Sequence, residues 1–393
     1  MNIGMETVSL EDVCEAIRSG FWGESERTDS NCVQVNAVRN GDISRTGELY
    51  GSAPRWFTIR EAEVAEVQPG DVLLTGSGEI GKVHLAIDGG YHVTNFVKRL
   101  RPIPNKLNPG FLAHMLKSPV AVDVLKDHSA GSTMLNLKAA FFDVPWLPLP
   151  SLPEQQRIVT KLDAAFAALS EAQAHVERNQ ANARELFESY LNGVFEGKGW
   201  KAAKLDEVCG FQNGFAFKSN TFREQGIPVL RISNIQDGQV DTERIVFVDP
   251  KDYREDLSRY RIGEGDLVIA MSGATTGKIG FNTQPTIFLL NQRVGKFEPT
   301  SKLNKRFLYY FLSTKVEENL SISAGSAQPN LSTEQIKSFE VPLPPIQEQE
   351  RIVAELDSLY ERTNELETTY QQKLTELTSL KKAVLGAAFR GEL

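Results

Sequence analysis

Two stretches of this chain lay apolar residues along one stripe of a long helix, and the segments before them read as short β-rich runs. In the first stretch Ile158, Leu162, Ala165, Leu169, Ala172, Val176, Asn179, Ala183, Leu186 and Tyr190 step by four and three. In the second, Ile352, Leu356, Leu359, Thr363, Leu366, Tyr370, Lys373, Leu377, Leu380 and Val384 repeat those steps at an offset of 194. A heptad-like seam of this kind requires a helical partner. The first helix is small at Ala165, Ala172 and Ala183 where the second is bulky at Leu359, Leu366 and Leu377, so each seam suits the other better than itself. An intramolecular, antiparallel pair is expected. Polar Asn179 and Lys373 hold equivalent seam positions, where a buried polar group would fix the register.

The offset of 194 is a repeat of the whole chain. PLPSLPEQQRIVTKLD at 148–163 matches PLPPIQEQERIVAELD at 342–357, pairing Gln155 with Gln349, Arg157 with Arg351 and Asp163 with Asp357. Prolines before the first turn and acids within it mark a helix start. Weaker echoes precede each copy: LEDVC at 10 and LDEVC at 205, GDVLLTGSGEIGK at 70 and GDLVIAMSGATTGK at 265, and SAGS at 129 and 323. Runs such as VHLAID, VTNFVKRL, IPVLRISNI and RVGKFE, separated by turn residues, predict compact mixed domains of about 150 residues. The expected fold is α+β, with an internal pseudo-twofold repeat. Two mixed α/β domains, 1–147 and 198–341, alternate with two long antiparallel coiled-coil helices, 148–197 and 342–393.

At 393 residues the chain is too long for one ordinary core. No apolar run reaches membrane-spanning length, and MNIGMETVSLEDV lacks the basic and apolar parts of a leader. Cys14, Cys32 and Cys209 have neither metal-ligand nor CxxC spacing, so a reducing cytoplasm is expected, with no metal. The net charge of -8 looks wrong for a partner rich in phosphate, yet residues 151–197 and 346–393 together supply -6 of it. The remainder holds 33 basic and 35 acidic side chains, which leaves room for basic faces.

GSGEIGK at 76–82 matches the GxxxxGK phosphate-binding pattern, but Val83 follows where Ser or Thr is needed. The repeat copy, SGATTGK at 272–278, begins with Ser272 instead of glycine, so both read as strand-loop-strand turns. His84, His92, His114, His128 and His175 all lie in the first half without metal or catalytic spacing, and no glycine-rich cofactor loop or NPP(Y/F)-like element is present. No catalytic residue is assigned. The remaining polar chemistry suits the edges of DNA: Ser77, Lys82, Asn95, Lys98, Arg99 and Arg101 in the first domain. The second offers Arg231, Ser233, Asn234, Ser272, Thr275, Thr276, Lys278, Asn291, Gln292, Arg293, Ser326, Gln328 and Asn330. Arg and Lys pair with guanine, Asn and Gln with adenine, and hydroxyls or loop amides with phosphate.

The duplicated helix-opening element, with GDLVIAMSGATTGK, NQRVGKF and SAGSAQPNLS before it, resembles the specificity subunit of type I restriction-modification systems. The resemblance covers nearly the whole chain. It implies two target-recognition domains, each reading one half of a bipartite site in double-stranded DNA. The paired helices would set the spacer and dock two methyltransferase subunits, and restriction/translocase subunits would complete the complex. S-adenosylmethionine, ATP and Mg would then belong to those partners. Within this resemblance Phe96 and Val97 stand where the second domain has Gln292 and Arg293. Two other readings stay open: a DNA-binding or coiled-coil adaptor of another DNA-modifying assembly, and a nuclease or methyltransferase in its own right.

Overall fold

In the computed structural model, which describes residues 7–131, 135–196, 198–236, 238–316 and 330–392, the two seams are helices Leu152–Phe195 and Ile346–Phe389. The chain divides into two compact units, Met1–Arg178 with Tyr370–Leu393, and Asn179–Thr369. Each long helix therefore contributes one part to each unit.

The apolar runs Val72–Thr75, Leu267–Ala270 and Phe288–Leu290 become strands buried on both faces, whereas Cys14–Ser19 and Cys32–Val38 mix buried with exposed positions. In the first unit the antiparallel sheet runs Cys14–Ser19, Val97–Pro102, Val72–Thr75, Val83–Leu85. The second unit has the same order, Cys209–Asn213, Val294–Pro299, Leu267–Ala270, Ile279–Phe281, extended by Gly238–Val240 and Ile235–Gln236. A further sheet in the first unit pairs Cys32–Val38 antiparallel with Ala53–Thr58 and parallel with His92–Val93. Ile227–Leu230 repeats this, antiparallel with Val246–Val248 and parallel with Phe288–Leu290. The repeat thus reaches strand order and sense. At its centre, Val72, Leu73 and Leu74, and Leu267, Val268, Ile269 and Ala270, are fully buried.

The duplicated motif closes each domain onto its helix. Gln155 and Gln349 are both fully buried. The Gln155 amide accepts from Asn108 N at 2.7 Å and donates to Lys106 O at 3.0 Å and Pro150 O at 2.8 Å. Gln349 makes the equivalent bonds to Asn304 N, Lys302 O and Pro344 O at 2.8, 2.9 and 2.9 Å. Asn108 and Asn304 in turn cap helices Pro109–Leu116 and Lys305–Ser313. Arg157 and Arg351 form i,i+3 pairs with Glu154 and Glu348. About two turns after each glutamine, Asp163 accepts from His114 Nε2 at 2.7 Å, and Asp357 accepts from Arg306 Nε at 2.7 Å and from the Tyr310 hydroxyl at 2.5 Å.

Each unit contains part of the antiparallel pair. In the second, Arg184 meets Glu367 at 2.9 Å, Phe187 stacks on Tyr360, and Tyr190 donates to Glu355 at 3.2 Å, numbers rising on one helix as they fall on the other. In the first, Lys381 lies over Phe166, and Leu385 and Ala388 join a core with Ile158 and Leu162. The strict four-three seam requires correction in its distal half. Leu186 is 66 %, Leu366 44 % and Leu380 49 % exposed, and Asn179, Tyr190 and Lys373 are also exposed. Gln180, Phe187, Leu191, Leu374, Lys381 and Leu385 are the covered positions instead. In both helices ten steps of three or four carry the covered stripe from Ile158 to Val194 and from Ile352 to Ala388. That is the 3.6-residue period of a straight helix, which drifts away from a heptad seam by about 20° per seven residues. Asn179 and Lys373 therefore remain in water and do not act as buried register keys.

Candidate nucleic-acid interface

In the second unit a tight turn joins Leu267–Ala270 to Ile279–Phe281. Gly273 and Gly277 adopt φ of 78° and 83°, which admits glycine at little cost. Thr276 is fully buried and its hydroxyl donates to Gly273 O at 2.7 Å, so it shapes the turn and is not a base reader. Ser272 is 2 % exposed, and its hydroxyl accepts from Arg293 Nη1 at 3.1 Å. The backbone bridge from Ser272 to Asn330 brings the segment after 329 to the same place. The Ile232–Asn234 turn also packs against this turn, with Ser233 exposed and Arg231 half-buried. Asn234 is buried, its side-chain oxygen accepting from Arg231 N and its amide donating to Glu243 O, a structural role. The structure thus gathers Arg231, Ser233, Ser272, Thr275, Lys278, Asn291, Gln292, Arg293 and Asn330 about one loop cluster. Gln292, Arg293, Ser233 and Asn330 are its exposed members. Ser326 and Gln328 lie outside the described residues.

The first unit builds the same cluster, with a serine and an asparagine again at its bridge and different side chains at several of the other positions. Ser77 bridges Asn136, its hydroxyl donating to the Asn136 amide oxygen at 2.6 Å, as Ser272 bridges Asn330. Strand Val83–Leu85 follows Lys82 directly, so no helix N-terminus is offered to a phosphate there. Lys82 pairs with Glu79 at 2.8 Å, and Lys82 and Arg45 together hold the Glu79 carboxyl below its ordinary range. Lys98 donates to Ser19 Oγ at 2.6 Å, and burial pulls its ammonium below the usual lysine value. Asn95 is exposed.

Arg99 and Arg101 leave the candidate set. Arg101 holds the buried Asp71 carboxylate through two bonds of 2.8 Å, and Arg99 is 5 % exposed, donating to Glu66 O and lying 4.0 Å from Asp71. Both guanidiniums are committed to a buried acid, and stripping either from it would expose an unpaired charge in low dielectric. The strand registers also correct the correspondence between domains. Val97 pairs with Thr75 and Val294 with Ala270, so Phe96 is equivalent to Arg293 and Asn95 to Gln292.

Sequence reading missed Arg39 and Asn40. The Asn40–Asp42 turn sits against Ser77, with the Asn40 amide donating to Ser77 O, and Arg39 N donating to the Asp42 carboxylate at 2.8 Å. Arg231 and Asn234 repeat that closure, so an Arg followed three residues later by Asp or Asn in both copies was the available signal. Trp22 was also missed, 51 % exposed beside Phe96. Among the described residues no His, Cys, Asp and Glu side chains cluster as a metal site would require, and no helix is long and apolar enough to cross a membrane.

Two like domains, each with a polar loop cluster at the same place and each joined to long-helix segments by one buried glutamine, define a tandem recognition architecture. The family model for the type I restriction modification DNA specificity domain matches residues 2–178 and again 197–376. The chain belongs to that family. It is 26 % identical to the EcoKI specificity subunit of Escherichia coli K12, covering 92 % of this chain and 82 % of that one. It is also 26 % identical to the MjaVIII specificity subunit of Methanocaldococcus jannaschii, over 99 % and 95 % of the two chains. Among solved structures, a chain from work on assembly and conformational transition of the type I R-M system superposes with a TM-score of 0.80 at 22 % identity, covering 100 % and 99 %. The HsdS subunit from Thermoanaerobacter tengcongensis gives 0.67 at 23 % identity, covering 100 % and 98 %. These two are likenesses of fold.

Proposed function

We propose that this chain is the DNA specificity subunit of a type I restriction-modification complex, with each domain reading one half of a bipartite site. The observation that carries this reading is the duplicated family match combined with one loop cluster per copy, Ser77 to Asn136 and Ser272 to Asn330. Two copies with different exposed side chains read two different sequences. The recognition domains are 1–147 and 198–341, and the helical segments 148–197 and 342–393 set the spacer and dock two methyltransferase subunits. Restriction/translocase subunits join that assembly in the cytoplasm.

The chain itself is a reader and not a catalyst, and its chemistry supports that role. At the loop clusters the buried Ser272, Thr276 and Asn234 are committed to a hydrogen bond with Arg293 and to turns, and the exposed Asn95, Ser233, Gln292, Arg293 and Asn330 carry amide, hydroxyl and guanidinium groups suited to base edges and phosphates. S-adenosylmethionine, ATP and Mg act on the partner subunits. The test is co-expression with the cognate methyltransferase followed by sequencing of methylated bases. A single two-part sequence with an unspecified gap, methylated only when both proteins are present, is the expected result. Methyl transfer or cleavage by this chain alone would overturn it.

A further inference from the structure

At one position of the loop cluster the two domains exchange their chemistry. Gly20 and Gly214 both approach a neighbouring backbone too closely for a side chain: a Cβ would lie 1.5 Å from Val93 O in the first and 2.1 Å from Asn291 O in the second. They therefore align Phe21-Trp22 with Phe215-Ala216. Phe96 O accepts from Gly76 N and Arg293 O accepts from Met271 N, which aligns Phe96 with Arg293 as the strand registers do. The first domain thus holds Trp22 and Phe96 where the second holds Ala216 and Arg293.

We propose that Trp22 and Phe96 form an apolar reader of the first half-site that contacts the C5 methyl of a thymine. The inference rests on the DNA-reading function proposed above and adds the chemical class of one contact. Trp22 is 51 % exposed, with its ring 5.7 Å from Phe96 in an edge-to-face arrangement and 5.3 Å from the Arg55 guanidinium. Leaving half of the largest apolar side chain in water forfeits hydrophobic stabilisation that an interior position would gain. The two contacts hold the indole in place without covering it. Phe96 adjoins Gly76, and Ser77, Asn136 and Lys98 line the same cluster, so the aromatic pair stands among candidate phosphate and base-edge groups. In the major groove the thymine methyl is the one apolar group presented by a base, and apolar side chains read it by contact. Arg55 adds a cation beside the ring, suited to a flanking phosphate. In the second domain Arg293 supplies a guanidinium at this position, which suits guanine instead.

The test uses the full chain assembled with its methyltransferase and a duplex carrying the mapped site. Each thymine of the first half-site is replaced in turn by deoxyuridine, which removes only the methyl group. One replacement should weaken binding about three- to sixfold, the worth of one buried methyl. In Trp22→Ala and Phe96→Leu assemblies that penalty should vanish, while the second half-site keeps its full discrimination. Arg293→Ala should relax the second half-site and leave the deoxyuridine penalty in place. A flat deoxyuridine scan, a first half-site without thymine, a penalty that survives Trp22→Ala, or a change confined to the second half-site would overturn the inference. These failures are distinct from that of the broader reading, in which the wild-type assembly would methylate no bipartite site at all.

Discussion

Replacing Gln155 by alanine removes one amide and strands three partners. Asn108 N, Lys106 O and Pro150 O lose their bonds of 2.7, 3.0 and 2.8 Å at a site where Gln155 itself is fully buried. Each buried backbone group left unsatisfied costs about 1–3 kcal/mol, and the deleted side chain leaves a cavity besides. Water entering that cavity recovers part of the loss, so about 3–5 kcal/mol is expected, a large share of the roughly 5–15 kcal/mol that stabilises a domain. Because Asn108 caps helix Pro109–Leu116, the damage should spread to that helix's packing on the long helix. Hydrogen exchange reads the effect directly: amides of Pro109–Leu116 should exchange faster by about two to four powers of ten, while those of Lys305–Ser313 keep wild-type protection. Gln349→Ala should give the reverse pattern. If Gln155→Ala costs less than about 1 kcal/mol, the duplicated glutamine is not the clamp described here.

Leu162 and Leu356 are fully buried, one in each unit's core, so Leu162→Asp or Leu356→Asp should cost several kcal/mol and abolish methyltransferase assembly. Normal stability and stoichiometry in size-exclusion chromatography would contradict this. Burial pushes His114 below its ordinary value despite the Asp163 hydrogen bond, so folding favours the neutral ring. The stability this contributes is complete above about pH 6.5, the unfolded value, and is lost as pH falls through the lower folded value. Urea midpoints of the first unit should drop between pH 7.5 and 5.5 and do so less in His114→Tyr, which installs the group that Tyr310 supplies in the second unit; an unchanged slope would refute it. Inserting seven residues into both long helices at matched points adds about 10 Å of helix, close to three base pairs. The methylated site should retain both half-sequences and gain about three unspecified positions; retention of the parental spacer would show that the helices do not set it.

The repeat and the paired helices were legible because they rest on local, periodic signals. PLPSLPEQQRIVTKLD and PLPPIQEQERIVAELD preserve the helix start, the buried glutamine and the aspartate about two turns later; the glutamine's three contacts recur, while the aspartate changes partner from His114 to Arg306 and Tyr310. The distal seam was not legible from a four-three count, because a straight helix carries Phe187 and Leu191 inward in place of Leu186 and Tyr190. Arg99 and Arg101 looked like free cations on a strand because their partner, Asp71, lies 28 to 30 residues earlier, just before strand Val72–Thr75, and only folding joins them. The correspondence of Phe96 with Arg293 was hidden by a one-residue difference in loop length, which strand register reveals and sequence matching does not. Trp22 escaped notice because a lone aromatic carries no periodic signal. Its exposure beside Phe96 is a tertiary fact.

If two independent domains read two independent half-sites, exchanging one domain should exchange one half-site. Residues 1–147 are replaced by the equivalent segment of a relative with a different site, the chimaera is co-expressed with the methyltransferase, and the methylated bases are sequenced. One half-sequence should change to the donor's while the other half and the spacer length remain. A change in both halves, or in neither, would contradict that independence.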